Sequence, residues 1–268
     1  MNREKSHHPH GGSIILAGIY AENHAWSQRD EILAQRLGVP RIMKMPEKGT
    51  ALVVSEKGMS LLATDDQGMP MRIGVDFTTG QWRRRIASVR KERLIRAMGR
   101  KAGPATTIID ATGGLGRDSF LLAAAGFQVR VVERNPILAA LLEDALLRAG
   151  QSPLTSEISA RITLTCGDAC HYLQQENHRA DIVYLDPLFP ARKKSAKVKK
   201  ELQVIRKITG SDDDQSPLFA AAREAAFARV VVKRTQHGPW LDNRPPSYSV
   251  SGKTVRFDIY LKMAQSSG

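Results

Sequence analysis

Acidic side chains follow four predicted strands in the C-terminal part of the sequence, at the point where each strand ends. The four residues are Asp110, Glu133, Asp168 and Asp186. In an open sheet of parallel strands, ligands bind outside the carboxyl ends of the strands, near the switch in strand order. We therefore expect the four carboxylates to rim one cleft, in which a ligand with cationic or hydrogen-bond-donating groups could bind.

A glycine-rich loop, "DATGGLGRD", connects the first of these strands to the next predicted helix. It contains no Gly-Lys-Ser/Thr, so it lacks the lysine with which a P-loop reaches triphosphate oxygens. Gly114 and Gly116 resemble a dinucleotide fingerprint without its third glycine. Asp110 precedes the loop and Asp118 opens the helix, and carboxylates in these places disfavour a pyrophosphate.

These features favour S-adenosylmethionine as the cofactor, with NAD as the alternative. The sulfonium and amino groups of S-adenosylmethionine are cationic, which suits a loop flanked by carboxylates. Glu133 lies at the distance from the loop where an acid binds ribose hydroxyls in dinucleotide-binding folds. The sequence therefore predicts a nucleoside cofactor that has no phosphate.

The string "DPLFP" follows the fourth strand and resembles the (Asn/Asp)-Pro-Pro-(Tyr/Phe) motif of amino-group methyltransferases. An exocyclic amine on a nucleobase is a poor nucleophile because its lone pair is delocalised into the ring. Asp186 and the carbonyl of Pro187 could accept its two N–H bonds, and Phe189 could stack on the base. Catalysis would then depend on positioning and electrostatics, and the base would have to be flipped out of any stack.

Positive charge is concentrated in two segments of a chain whose formal net charge is +13 over 268 residues. Residues 83–101 hold nine Lys or Arg against one Glu, and residues 192–207 hold eight against one. Such clusters favour a nucleic-acid partner, with two solvated helix faces as the alternative. The candidate RNA-binding residues are Arg83, Arg84, Arg85, Arg192, Lys193, Lys194, Lys197, Lys199 and Lys200.

The cysteine and hydropathy patterns indicate a cytoplasmic protein without a metal. The two cysteines, Cys166 and Cys170, form no disulfide framework, and the sequence has no second Cys/His cluster that would complete a zinc site. No apolar run approaches the roughly 18 residues that a membrane span needs. We expect free thiols, no metal, no membrane contact and a cytoplasmic location.

Strands and helices alternate from about residue 104, which is typical of a parallel sheet with helices on both faces. The predicted fold class is α/β, a doubly wound sheet of the class I (Rossmann-like) methyltransferase type with a small N-terminal α+β domain. The predicted domains are residues 1–80 for the α+β unit, 81–103 for a basic linker or helix, and 104–268 for the methyltransferase domain. In the first unit we expect a hairpin near Lys57-Gly58 and a strand over "MRIGVDF". In the methyltransferase domain, Gly126 should end the first helix, and Asn135 and Pro136 should cap and begin the next one. Ser216 and Pro217 should open a later helix that runs through Phe227.

The sequence resembles the ribosomal RNA small subunit methyltransferase J family over most of its length. The resemblance is densest in "DATGGLGRD", "ERNP", "VYLDPLFP", "KKSAKVKKE", "VVVKR" and "RFDIY". It implies methylation of a guanosine N2 amine in 16S rRNA, with the small ribosomal subunit as partner. It also implies a cofactor site lined by Arg117, Asp118, Glu133, Arg134, Asp168, Ala169 and Asp186.

Motif and charge reasoning alone predicts an S-adenosylmethionine-dependent methyltransferase that acts on a base amine in nucleic acid. Guanine, its N2 position and 16S rRNA are implied by the resemblance only. A DNA adenine-N6 methyltransferase, a nicotinamide oxidoreductase and a non-catalytic RNA-binding assembly factor remain alternatives.

Overall fold

The computed structural model describes residues 16–46, 49–64, 68–99, 103–187, 196–209 and 215–262, without the side chains of residues 196–199. Two sheets are formed by these residues, one before residue 80 and one after residue 103. None of the helices in the described ranges is long and apolar enough to cross a membrane.

In the part of the chain that the structure describes, the N-terminal sheet has five strands in the order β2-β1-β3-β4-β5. Its elements are β1 (Leu16–Ala21), α1 (Gln28–Leu37), β2 (Arg41–Ile42), β3 (Thr50–Ser55), β4 (Gly58–Thr64) and β5 (Pro70–Ile73). The predicted hairpin is confirmed, since β3 and β4 pair antiparallel with Ser55 opposite Gly58. The predicted strand over "MRIGVDF" is too long, because β5 ends at Ile73 and the chain then leaves the sheet.

Two short helices and a 3-10 turn lead from the first sheet to the second. They are α2 (Gly80–Ala87), the 3-10 turn Val89–Lys91 and α3 (Arg93–Met98). Arginines lie on the exposed side of these helices, whereas Trp82, Val89, Leu94, Ala97 and Met98 are buried. The described part of the basic stretch, residues 83–99, therefore consists of amphipathic elements that pack on the core.

Seven strands of the described residues form the second sheet, in the order β11-β12-β10-β9-β6-β7-β8. The strands are β6 (Thr107–Asp110), β7 (Gln128–Glu133), β8 (Ile162–Cys166), β9 (Ala180–Leu185), β10 (Ala226–Thr235), β11 (Tyr248–Ser251) and β12 (Val255–Leu261). Strands β6 to β10 are parallel to one another, and β12 and β11 add an antiparallel edge next to β10. The strand order reverses between β6 and β9, which is where a doubly wound sheet binds its ligand.

Within the described ranges, six α-helices connect the strands of this sheet. They are α4 (Arg117–Ala124), α5 (Pro136–Gly150), α6 (Ser156–Ser159), α7 (Ala169–Gln174), α8 (Ala196–Thr209) and α9 (Gln215–Ala225). Asn135 caps α5, accepting hydrogen bonds from the amides of Ile137 and Leu138, and Pro136 begins the helix as expected. The helix predicted to run through Phe227 ends at Ala225, because β10 begins at Ala226 without an intervening loop.

Aromatic side chains join the two sheets into one hydrophobic core. Phe77 stacks on Phe120 of α4 with ring centroids 3.9 Å apart, and Trp82 packs edge-on against both rings. A buried carboxylate adds a polar link, because Asp144 of α5 accepts the Met59 amide at 2.8 Å. The predicted α/β class with its doubly wound sheet is confirmed, while the division at residues 80 and 103 stays a prediction.

Candidate active site

A pocket of about 390 Å³ opens at the carboxyl ends of the parallel strands. Its volume falls within the range of small-molecule sites. Almost all of the predicted cofactor-binding and catalytic residues that the structure describes contribute to its lining: Asp110, Gly114, Arg117, Asp118, Glu133, Arg134, Asp168, Ala169, Asp186 and Pro187. Gly116 lies outside this lining, and Phe189 lies outside the described residues.

The glycine loop, which comes directly after β6 in the chain, packs so tightly against its neighbours that two of its positions have no room for a side chain. A Cβ atom on Gly113 would lie 2.5 Å from Cγ1 of Val131, a contact too short to form. Gly116 caps α4 with a left-handed φ of 68°, and a Cβ there would lie 2.4 Å from the side chain of Leu142. The sequence prediction omitted Gly113, whose need for glycine depends on the neighbouring strand.

Glu133 holds this loop against the end of β7. Its side chain accepts the Gly114 amide at 2.6 Å and the Asn135 amide at 2.7 Å, and the residue is only 6% exposed. A carboxylate fixed by two backbone donors is preorganised to accept further hydrogen bonds from a ligand. This position is where the sequence places a ribose-binding acid.

Asp110 lies beneath the loop and is 2% exposed. Its carboxylate accepts hydrogen bonds from the Thr112 amide at 3.0 Å and from the hydroxyl of Ser119. Burial raises the pKa of Asp110 to about 7, because the loss of hydration outweighs these hydrogen bonds. Asp110 therefore anchors the loop from below and titrates near neutral pH.

Asp186 and Pro187 leave the end of β9 directly into the pocket. The Asp186 amide donates to the Thr112 hydroxyl at 2.7 Å, which ties the end of β9 to the glycine loop. Pro187 is buried, and the Asp186 side chain is 37% exposed. The acid of the predicted amine-binding motif thus lies in the same cavity as the acids of the predicted cofactor site.

Lys233 of β10 also lines the pocket, and the sequence prediction did not include it. Its ammonium lies 2.6 Å from Oδ2 of Asp118 and 2.7 Å from Oδ2 of Asp186. Tyr184 donates its hydroxyl to the same oxygen of Asp118 at 2.7 Å. Burial opposes the charge on each group, but the two carboxylates raise the pKa of Lys233, and Lys233 lowers the pKa of Asp118.

Asp168 and helix α8 form other sides of the pocket. Asp168 caps α7, where its side chain accepts the amide of His171 at 2.8 Å. Leu202 and Ile205 of α8 contribute apolar surface. Asn135 donates its side-chain amide to the Ile208 carbonyl at 3.0 Å, and this bond holds α8 beside the pocket. The pocket therefore offers apolar contacts for a planar ring together with charged groups.

Of the three predicted RNA-binding arginines of α2, Arg85 contributes to the pocket. Arg83 and Arg84 are exposed, whereas Arg85 is half-buried, lines the pocket and donates to Glu92 at 2.8 Å. Lys200 lies on α8. The remaining candidates, Arg192, Lys193, Lys194, Lys197 and Lys199, have side chains outside the described residues. Within the described residues, no group of three or more His, Cys, Asp or Glu side chains is placed to hold a metal ion.

Known proteins resemble this chain over nearly its whole length. The family described as "Putative SAM-dependent methyltransferase" matches residues 33–262. The ribosomal RNA small subunit methyltransferase J of Thioalkalivibrio sulfidiphilus is 41% identical, covering 87% of this chain and 93% of that protein. The protein of the same name from Pseudomonas paraeruginosa is 40% identical, covering 92% of this chain and 95% of that protein.

A solved structure agrees with these sequence relatives. The crystal structure of a SAM-dependent methyltransferase from Neisseria gonorrhoeae superposes with a TM-score of 0.68 at 32% identity, covering 92% of this chain and 96% of that chain. Family match, relatives and structure all extend across the glycine loop, the acidic strand ends and the Asp186 motif. The chain therefore belongs to the S-adenosylmethionine-dependent methyltransferases of the ribosomal RNA small subunit methyltransferase J family.

Proposed function

We propose that this protein transfers a methyl group from S-adenosylmethionine to the exocyclic N2 amine of a guanosine in the 16S rRNA of the small ribosomal subunit. The observation that carries the proposal is the position of Asp186. Its carboxylate follows β9 into the pocket that holds Glu133, Asp118 and the glycine loop. The relatives named for small-subunit rRNA methylation support the choice of RNA, and guanine N2 follows from the family resemblance.

The residues at the strand ends fit the cofactor. Glu133 would accept hydrogen bonds from the ribose hydroxyls, and Asp168 and Ala169 would border the adenine. The absence of a side chain at Gly113 lets the loop lie close to β7, as the cofactor requires. Bound here, S-adenosylmethionine supplies a methyl group on a sulfonium sulfur, which leaves as a neutral thioether when the new N–C bond forms.

At the acceptor end, Asp186 and Pro187 position the amine. The Asp186 carboxylate and the Pro187 carbonyl would accept the two N–H bonds, which restores lone-pair density on N2 and directs it toward the methyl carbon. Phe189 would stack on the flipped guanine. As the N–C bond forms, N2 becomes cationic and releases one proton, which passes to solvent. The protein's contribution is positioning and electrostatics.

The basic residues around the pocket would bind the RNA backbone. Arg83 and Arg84 are exposed on α2, and Arg85 extends this surface into the pocket. Lys200 and the lysines that precede it in sequence follow directly after the Asp186 motif. Phosphate contacts of this kind give salt-dependent affinity with little sequence preference, so the choice of nucleotide must come from RNA shape and the unstacked base.

The test is methyl transfer to defined substrates by wild-type protein and two variants. Small subunits and naked 16S rRNA from cells that lack the enzyme, and duplex DNA, are incubated with S-adenosylmethionine labelled in its methyl group. Asp186→Ala removes the acceptor oxygens and should lose transfer while keeping RNA affinity. The control Glu224→Gln changes an exposed carboxylate on α9 and should behave as wild type.

Nucleoside analysis of the product decides the outcome. Label in N2-methylguanosine from either ribosomal substrate supports the proposal and identifies the competent substrate. Label in DNA adenine would replace it with a DNA methyltransferase function. Binding of S-adenosylmethionine without transfer to any substrate would refute the choice of partner.

A further inference from the structure

The strand register places Lys233 beside Asp186. Strands β9 and β10 are parallel, with Val231 opposite Tyr184 and Val232 opposite Leu185. One residue further along, Lys233 is level with Asp186. Because side chains alternate between the two faces of a sheet, Tyr184, Asp186 and Lys233 extend to the same side. That side faces α4, from which Asp118 extends.

The Lys233 ammonium connects two carboxylates that belong to different elements of the fold. It lies 2.6 Å from Asp118 in the first turn of α4 and 2.7 Å from Asp186 after β9. The Lys233 side chain is 24% exposed and that of Asp118 is 18% exposed. Lys233 and Asp118 are therefore partly shielded from water. For this reason the ammonium interacts with the carboxylates more strongly than it would at an open surface.

We propose that Lys233 is a positioning residue for methyl transfer, and that its ammonium holds the Asp186 carboxylate in the orientation and charge state that accept an N–H bond from the target amine. This inference rests on the proposed function of Asp186. Lys233 itself touches neither the methyl group nor the base in this role. It acts through Asp186 and links that acid to the helix that follows the glycine loop.

The charges explain why a cation is needed here. Asp118 and Asp186 each place an oxygen within hydrogen-bonding distance of the same nitrogen, so without the ammonium the two carboxylates would repel each other. Asp110 adds a third acid whose charge interacts with both carboxylates, whereas Arg85 is a second cation that acts on Asp118. Without Lys233, one of the two carboxylates beside it would therefore take up a proton at a higher pH. A protonated Asp186 has a donor where the amine needs an acceptor. Loss of Lys233 should therefore reduce transfer most strongly at low pH.

The positive charge of Lys233 allows a positioning role to be distinguished from a role in cofactor binding. A lysine opposes the binding of a cationic sulfonium compound, so its removal should leave the affinity for S-adenosylmethionine unchanged or increase it. If Lys233 were a structural brace for the cofactor pocket, its removal would weaken cofactor binding. The positioning role thus predicts a fall in kcat without a loss of cofactor affinity.

The experiment compares three variants with the wild-type protein. Lys233→Met removes the charge, Lys233→Arg keeps it, and Lys262→Met removes a lysine at the opposite end of the β10–β12 pair. Methyl transfer to the competent ribosomal substrate is measured across a pH series, and S-adenosylmethionine affinity is measured by calorimetry. Circular dichroism shows that each variant is folded.

The Met variant at Lys233 should lower kcat by about 100-fold at neutral pH, the cost of a misplaced reacting group. Its pH profile should shift so that activity recovers as the pH rises, and the Arg variant should restore part of kcat. The Lys262→Met protein should match wild type. A kcat within about twofold of wild type, or a fall in kcat matched by weaker cofactor binding, would overturn the proposal.

A second measurement needs no substrate. Carbon NMR of aspartate-labelled protein follows the carboxyl signals of Asp118 and Asp186 against pH, without cofactor. At least one of the two should titrate at a higher pH in Lys233→Met than in wild type, and unchanged titration would overturn the inference. If wild-type protein methylates no ribosomal substrate, the proposed function fails independently of this titration.

Discussion

Replacement of Glu133 by glutamine tests the cofactor site most directly. The change keeps the size of the side chain but leaves one acceptor oxygen where there were two. In the wild-type protein, one carboxylate oxygen accepts the Gly114 amide at 2.6 Å and the other accepts the Asn135 amide at 2.7 Å. In Glu133→Gln, one of these two backbone donors faces an NH₂ group instead, and any ribose hydroxyl loses a charged acceptor.

The expected losses of cofactor affinity and of stability follow from the energy of a hydrogen bond to a buried charge. A hydrogen bond to a charged group contributes about 1.5–3 kcal/mol, so the affinity for S-adenosylmethionine should fall by about 10- to 150-fold. Glu133 is 6% exposed, so water cannot replace the lost acceptor. The free energy of unfolding should fall by about 1–3 kcal/mol for the backbone donor that loses its partner.

Calorimetry with S-adenosylmethionine and urea unfolding separate the two effects. The matched control is Glu143→Gln, which changes a glutamate on the outside of α5 whose side chain is 45% exposed and pairs with Arg36. The control should keep cofactor affinity and lose at most about 1 kcal/mol of stability. An unchanged affinity in Glu133→Gln would refute the assignment of this acid to the cofactor, even if stability falls.

Three further changes test other parts of the site. Gly116→Ala should lower the unfolding free energy by about 2–4 kcal/mol in urea titrations, because it combines a left-handed φ with a clash against the buried Leu142. Burial raises the pKa of Asp110, so its contribution to stability is present at low pH and is lost as the pH rises through about 7. Urea midpoints should therefore show wild-type stability falling by about 2–3 kcal/mol relative to Asp110→Asn between about pH 5 and 8. Removing both Arg83 and Arg84 should reduce the slope of log affinity for rRNA against log salt concentration by about 1–2, and an unchanged slope would leave them as solvated side chains.

Much of the fold could be predicted from the sequence because the patterns are local. Hydrophobic runs of strand length alternate with helical periods, and Asn135 and Gly126 mark where helices begin or end. Acids that follow parallel strands must lie at the same edge of the sheet. The sequence alone could therefore predict that Asp110, Glu133 and Asp186 lie close together. Their roles toward cofactor and RNA stay predictions.

The parts that the sequence could not predict depend on register and on contacts between distant segments. Lys233 lies near the end of an apolar strand, and only the pairing of β10 with β9 places it between Asp118 and Asp186. The predicted helix end at Phe227 lies two residues beyond the observed end of α9 at Ala225. No turn residue marks the change from helix to strand there, so the sequence could not locate it.

The two charge patterns of the molecule suit two ligands of opposite charge. The chain as a whole carries +13, yet among the described residues that line the pocket six bear carboxylates and four bear cationic groups. Under the proposed function, a cationic cofactor would be attracted to the interior, whereas an RNA phosphate would be attracted to the exposed arginines of α2 and repelled by the acids inside. In that proposal, an uncharged base would enter the pocket while the charged backbone stays outside, which is the division that methylation of a flipped nucleotide requires.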